Sequence, residues 1–143
     1  YKIALVSGGC QYFIDKICDN YGLDYGFANQ LKIENGQVSG ELEGQIIDAE
    51  AKENTLVSLA KKEGFSLRQV VAVGDGANDI KMLARAGLGI AFNAKPIVQR
   101  QALASINQSN LKLILYFLGI NGADLQELDE VVRGGKVQSW PTK

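Results

Sequence analysis

Histidine is absent from the 143 residues. Its absence removes Ser-His and Cys-His nucleophile pairs and any imidazole metal ligand. Chemistry must use carboxylates, lysine, hydroxyls or backbone amides. Cysteine is scarce, with only Cys10 and Cys18. Read as one helical pattern, the two lie roughly 12 Å apart at about 1.5 Å rise per residue, too far for a disulfide. They are expected to be buried free thiols in a reducing cytoplasm, without paired zinc spacing. Basic charge is not in excess either, because 15 Lys and Arg face 16 Asp and Glu for a net charge of −1. This argues against nucleic acid or an anionic membrane as partner. The longest uninterrupted apolar stretch, Leu113 to Leu118, is far too short to span a bilayer. No secretory leader is expected at the strand-like start, which opens on Tyr1. Internal repeats and low-complexity tracts are missing. What remains is a chain of one-domain length, able to bury a single core.

The stretch around which the rest is organised is VVAVGDGANDIKML, Val70 to Leu83. A short apolar run bounded by glycine predicts a strand buried on both faces, as in a parallel sheet. Asp75 falls where that strand ends, the place where open α/β sheets bind ligands. Gly74 and Gly76 are expected to leave room for a ligand and to permit unusual backbone angles. Asp79 follows one helical turn later, so two acids and the amide of Asn78 crowd one strand end. Like charges resist crowding unless a cation compensates. An all-oxygen cluster with few ligands suits magnesium, which keeps some waters and shares a substrate phosphate. The plainer alternative makes Asp75 a turn residue and Asn78 or Asp79 a helix cap.

Earlier in the chain the same theme occurs: Lys2 to Val6 as a strand, Ser7-Gly8-Gly9 as a loop, then a helix through Asn20 carrying Tyr12, Phe13, Ile17 and Tyr21. A hydroxyl and free amides at a helix N-terminus make an anion site, although Ser7 taken alone reads as a simple N-cap. Asn35-Gly36 between Phe27–Glu34 and Gln37–Leu42 predicts a small β-hairpin flap with Ile33 facing Val38. Asp48 to Glu63 reads as a helix with Asp48 as N-cap and Gly64 as terminator. Lys52 is its odd residue, since a cation near the first turn is disfavoured by roughly 0.3–1 kcal/mol. A nearby phosphate would reverse that preference, yet on position alone a solvated surface lysine is expected. Leu88 to Phe92 is a further strand, Lys95-Pro96 opens a short helix through Leu103, and Ala104 to Ile106 is a last brief strand. Leu111 to Leu118 is an apolar helix closed by Gly119. From Asn121 the character changes to an acidic amphipathic piece, Asp124 to Val132, then Arg133-Gly134-Gly135 and a polar tail with Trp140-Pro141. The alternation of strands and helices predicts a Rossmann-like α/β fold, with a mostly parallel sheet covered by helices on both faces.

Taken together, SGG at Ser7, Lys52 in DAEAKENTL, and GDGANDIKML followed by AGLGIAFNAKP resemble the phosphoserine phosphatase family of the haloacid dehalogenase-like superfamily. The resemblance runs from about Tyr1 to Ile120 and gives a core at 1–120 with an extension at 121–143. It implies Mg²⁺ held by Asp75 with Asp79 supporting the metal site, directly or through water. It implies a phosphate held by Ser7 and the Gly8 amide, neutralised by Lys52 and touched by Asn78. The reaction implied is hydrolysis of phosphoserine, a step of serine biosynthesis, through an aspartyl-phosphate. The family's nucleophile and general acid belong to an Asp-x-Asp motif on a central strand, and this chain contains no Asp-x-Asp. The chain therefore resembles the C-terminal part of the enzyme. Three readings remain: a fragment of an active phosphatase, a chain completed by a partner or a second copy, and a non-catalytic metal- or phosphate-binding module.

Overall fold

The computed structural model describes residues 1–126. The expected Arg133-Gly134-Gly135 and the Trp140 tail lie outside the described residues, as does most of the acidic piece. A first compact unit spans Tyr1–Asn107, and a second begins at Gln108. The first unit is mixed α/β and carries two three-stranded sheets, in the orders β1-β2-β3 and β4-β5-β6.

In the first sheet, β1 (Ala4–Cys10) pairs in parallel with β2 (Tyr25–Glu34), and β2 turns back into β3 (Gln37–Glu43). The turn is Asn35-Gly36, both at positive φ, and Ile33 pairs with Val38. That is the hairpin the dipeptide predicts. However, β2 extends beyond the hairpin and also forms the parallel pair with β1, so flap and sheet share one strand. Between β1 and β2, α1 (Gln11–Tyr21) makes the crossover and ends on Gly22 in the left-handed conformation. Tyr12, Phe13 and Tyr21 are exposed, and Ile14 is the buried residue. Ile14 and Cys18 lie against Gly26, where a Cβ would come within 2.8 Å of both side chains. A strand glycine thus admits the helix.

In the second sheet, β4 (Val71–Gly74), β5 (Leu88–Phe92) and β6 (Ala104–Ile106) are all parallel. Two helices flank it, α3 (Ile80–Arg85) and α4 (Pro96–Gln99); the latter is shorter than expected, stopping before Leu103. The core of the unit gathers here: Leu56, Ala72, Met82, Leu83, Ala86, Ala91, Ala94 and Val98. Leu83, Ile90 and Val98 are fully buried. α3 lies so close to β5 that a Cβ at Gly89 would meet the Leu83 carbonyl at 2.2 Å.

Between the sheets in sequence runs α2 (Ala49–Lys62), which touches β1, α3 and the turn before α3. Asp48 caps it by accepting from the Ala51 amide, as its position predicts. Its end is a Schellman arrangement, with Gly64 at φ 74° and the Phe65 amide bonded to the Ala60 carbonyl. Among the described residues, β1 has a strand on one side only, and so does β4. In the second unit, α5 covers Leu113–Phe117 and Gly119 follows at positive φ.

Candidate functional site

Ser7, Gly8 and Gly9 do not form the loop that their composition suggests. β1 continues through them to Cys10, and α1 starts only at Gln11. Ser7 is therefore neither an N-cap nor at a helix N-terminus, and Cys10 at that cap offers no side-chain bond. The reason is a bulge. Val6 is opposite Phe27 and Cys10 opposite Asn29, so β1 uses four residue steps where β2 uses two. Bulges re-aim backbone and side chains, and they often adjoin active sites. The backbone groups of β2 left over are taken by a side chain: Gln11 Oε1 accepts from the Ala28 amide at 2.6 Å, and its Nε2 donates to the Gly26 carbonyl at 3.2 Å. Ser7 Oγ accepts from the Gly9 amide at 3.0 Å, while Gly8 and Gly9 are exposed. Cys10 and Cys18 do not share one helix as expected, since Cys10 ends the strand; both are free thiols, as expected, and half-buried rather than buried.

Asn29, absent from the expectations, is buried beneath this bulge. Its Nδ2 donates to the Gly8 carbonyl at 2.7 Å, and its Oδ1 accepts from the Ile47 amide at 2.7 Å. The available signal was a carboxamide following Phe27-Ala28 inside the strand, where buried amides need partners.

At the second strand end, Asp75 and Asn78 are exposed and Asp79 is buried. Asp79 Oδ2 accepts from the amides of Gly76 at 3.0 Å and Asp75 at 3.2 Å. Asp79 Oδ1 accepts from Lys52 Nζ at 2.7 Å. Lys52 is 6 % exposed. The surface lysine expected from position alone is overturned, because α2 aims this side chain at a buried carboxylate. Its unfavourable place near the helix N-terminus is offset by the Asp79 charge. Gly74 and Gly76 serve through space rather than unusual angles. A Cβ at Gly74 would lie 2.5 Å from Asp79 Cβ, and one at Gly76 would lie 2.6 Å from Asn78 Oδ1. Gly76 itself has an ordinary φ of −104°.

The predicted residues thus fall into two connected groups. Lys52, Asp79 and the Asp75–Gly76 turn form one hydrogen-bonded chain. Ser7-Gly8 is tied through Asn29 to Ile47, which precedes the α2 cap. Asn78 follows the same turn, with its Oδ1 2.6 Å from where a Cβ on Gly76 would lie. For a metal, the donors are oxygen only. Among the described residues no three acidic or thiol side chains come together. Asp79 is engaged through both oxygens, which leaves the exposed Asp75 carboxylate as the open donor. A hard carboxylate beside open space fits magnesium, which tolerates few protein ligands and keeps its waters.

A family model described as haloacid dehalogenase-like hydrolase matches residues 46–118. The chain belongs to this family. It is 54 % identical over 111 residues to the phosphoserine phosphatase of Archaeoglobus fulgidus, covering 78 % of this chain and 32 % of that protein. With the phosphoserine phosphatase of Methanocaldococcus jannaschii it shares 46 % identity over 118 residues, covering 82 % of this chain and 56 % of the relative. A solved structure of a phospho-aspartyl intermediate analogue of phosphoserine phosphatase superposes with a TM-score of 0.77 at 46 % identity, over 82 % of this chain and 56 % of that one. The chain spans about half the length, or less, of these relatives. Among the described residues no helix is long and apolar enough to cross a membrane.

Proposed function

We propose that this chain is the phosphate- and metal-binding part of a Mg²⁺-dependent phosphomonoester hydrolase acting on O-phosphoserine in the cytoplasm. The observation that carries the reading is the buried bridge from Lys52 through Asp79 to the Asp75–Gly76 turn. It fixes an ammonium and an exposed carboxylate about one strand end, the arrangement that phosphoryl transfer requires for positioning and charge neutralisation. An ammonium carries three donors. One of Lys52's meets Asp79, and the others remain for phosphate oxygens. Ser7 and the Gly8 amide hold the phosphate from the bulge, and Asn78 touches it from the turn. Asp75 would hold Mg²⁺, with Asp79 supporting it from behind by fixing the Asp75 amide. When bound, the ion neutralises charge on the phosphoryl oxygens.

The nucleophile lies outside this chain, which has no Asp-x-Asp. A carboxylate supplied there attacks phosphorus and the bond from phosphorus to the serine oxygen breaks. That oxygen leaves with a proton delivered by a second acid. Water then cleaves the aspartyl-phosphate, returning the carboxylate and inorganic phosphate. Among the described residues β1 and β4 are sheet edges, as are β3 and β6, so an additional strand beside β1 and β4 is compatible with this reading. That strand comes from an upstream segment or from a second copy.

Calorimetric titration with Mg²⁺ tests the site, comparing the unaltered chain with Asp75→Asn. Asp75 is exposed, so the substitution leaves the fold intact. Weak Mg²⁺ binding lost in the variant is the expected result, and equal affinity in both contradicts the assignment.

A further inference from the structure

We infer that Asn29 is a positioning residue for the phosphate site, holding the Ser7–Gly9 bulge in register with the helix that carries Lys52. The inference rests on the phosphate-site reading above. Asn29 stands in β2 opposite Cys10, at the point where the register recovers after the bulge. It is 8 % exposed and spends both halves of its carboxamide on backbone groups. The Gly8 carbonyl can only accept and the Ile47 amide can only donate, so the orientation of the carboxamide is dictated by its partners. One peptide unit is therefore tied to the bulge and the other to the residue before the Asp48 cap. Four residues after that cap comes Lys52. Gly8 and Ile47 are close neighbours as well, since a Cβ on Gly8 would lie 3.6 Å from the Ile47 carbonyl oxygen.

The consequence is geometric coupling. The sequence separates Gly8 from Lys52 widely, and no strand pair joins β1 to the start of α2. Asn29 bridges them with two short bonds, one to the Gly8 carbonyl and one to the Ile47 amide. Rotating or losing that carboxamide frees the bulge to shift against α2, which misplaces the Gly8 amide relative to the ammonium. Aspartate at this position keeps the shape and can still accept from Ile47, but it cannot donate to Gly8. The carboxylate would instead face a carbonyl oxygen, so the effect falls on the bulge and spares the α2 side.

The test titrates inorganic phosphate into the 143-residue chain, followed by phosphorus NMR, with amide exchange of Ile47 recorded alongside. Asn29→Asp is expected to weaken phosphate binding by about tenfold or more while the Ile47 amide stays protected. In the unaltered chain, which needs no variant to fold, saturating phosphate is expected to slow exchange of the Ile47 amide, although that amide touches no phosphate. Phosphate binding by the unaltered chain with equal affinity in Asn29→Asp, or with Ile47 exchange unchanged on saturation, overturns the coupling alone. Failure of the unaltered chain to bind phosphate overturns the phosphate-site reading and the coupling with it.

Discussion

The bulge at Ser7–Gly9 and the turn at Gly74–Gly76 are both glycine-flanked strand ends, yet they are held by opposite means. The bulge stays inside β1 and is held by neutral carboxamides, Gln11 beneath the sheet partner and Asn29 beneath Gly8. The turn leaves β4 and is held by a carboxylate, whose charge is balanced by a buried lysine. Their surroundings differ too. The hydrophobic core collects around β4 and β5, while β3 is exposed along its whole length and Ile33 and Val38 face solvent. The charged holding group therefore lies beside the main core, and the neutral ones lie in the sheet that ends in the exposed β3, where Asn29 is itself buried. The teaching is that a buried ion pair needs a rigid setting, because a loosened partner leaves an uncompensated charge.

The largest effect expected from this contrast is on Lys52. Its side chain and that of Asp79 are each 7 % exposed. Lys52→Met strips Asp79 of its counter-charge and is expected to cost about 3–5 kcal/mol in urea unfolding. Removing the neutral partner at the bulge leaves no orphaned charge, so a Lys52→Met loss under roughly 1 kcal/mol, the range of exposed pairs, would erase the distinction.

A smaller effect separates the glycines. Alanine at Gly74 drives a Cβ into Asp79 at 2.5 Å, whereas at Gly8 the nearest atom is 3.6 Å away. Gly74→Ala is expected to destabilise by about 1–3 kcal/mol through overpacking, and Gly8→Ala to stay within about 0.5 kcal/mol. Thermal denaturation of both variants checks the pair. Equal losses would mean that the turn and the bulge are equally tight, against the comparison.

Much of the second strand end was legible in the sequence. The apolar run into Gly-Asp-Gly predicted β4, Asp75 at its end, and the helix after Asp79, all through local periodicity and glycine placement. Asp48 as cap and Asn35-Gly36 as hairpin turn were legible for the same reason, because each is decided by a few adjacent residues. Lys52 was not. Its burial depends on Asp79, which is 27 positions away in sequence, and helix position alone points to solvent. The bulge was hidden for a related reason: Ser-Gly-Gly reads as a loop locally, and only pairing with β2 and the carboxamides of Gln11 and Asn29 keeps it in the strand. The inward face of α1 was not legible in the spacing of Tyr12, Phe13, Ile17 and Tyr21, because the distant contact with Gly26 selects the slimmer Ile14 and Cys18.

The central claim is that this chain supplies the phosphate- and metal-binding half of the reaction while the attacking carboxylate comes from elsewhere. The most direct measurement is release of phosphate from O-phosphoserine with Mg²⁺, run on two samples. One is the purified chain alone, with its mass in solution recorded. The other is the chain joined behind the preceding part of the Archaeoglobus fulgidus relative, with which it shares 54 % identity. The account predicts no turnover by the chain alone and Mg²⁺-dependent turnover by the fusion. Mg²⁺-dependent turnover by a pure monomer of the chain alone would contradict it.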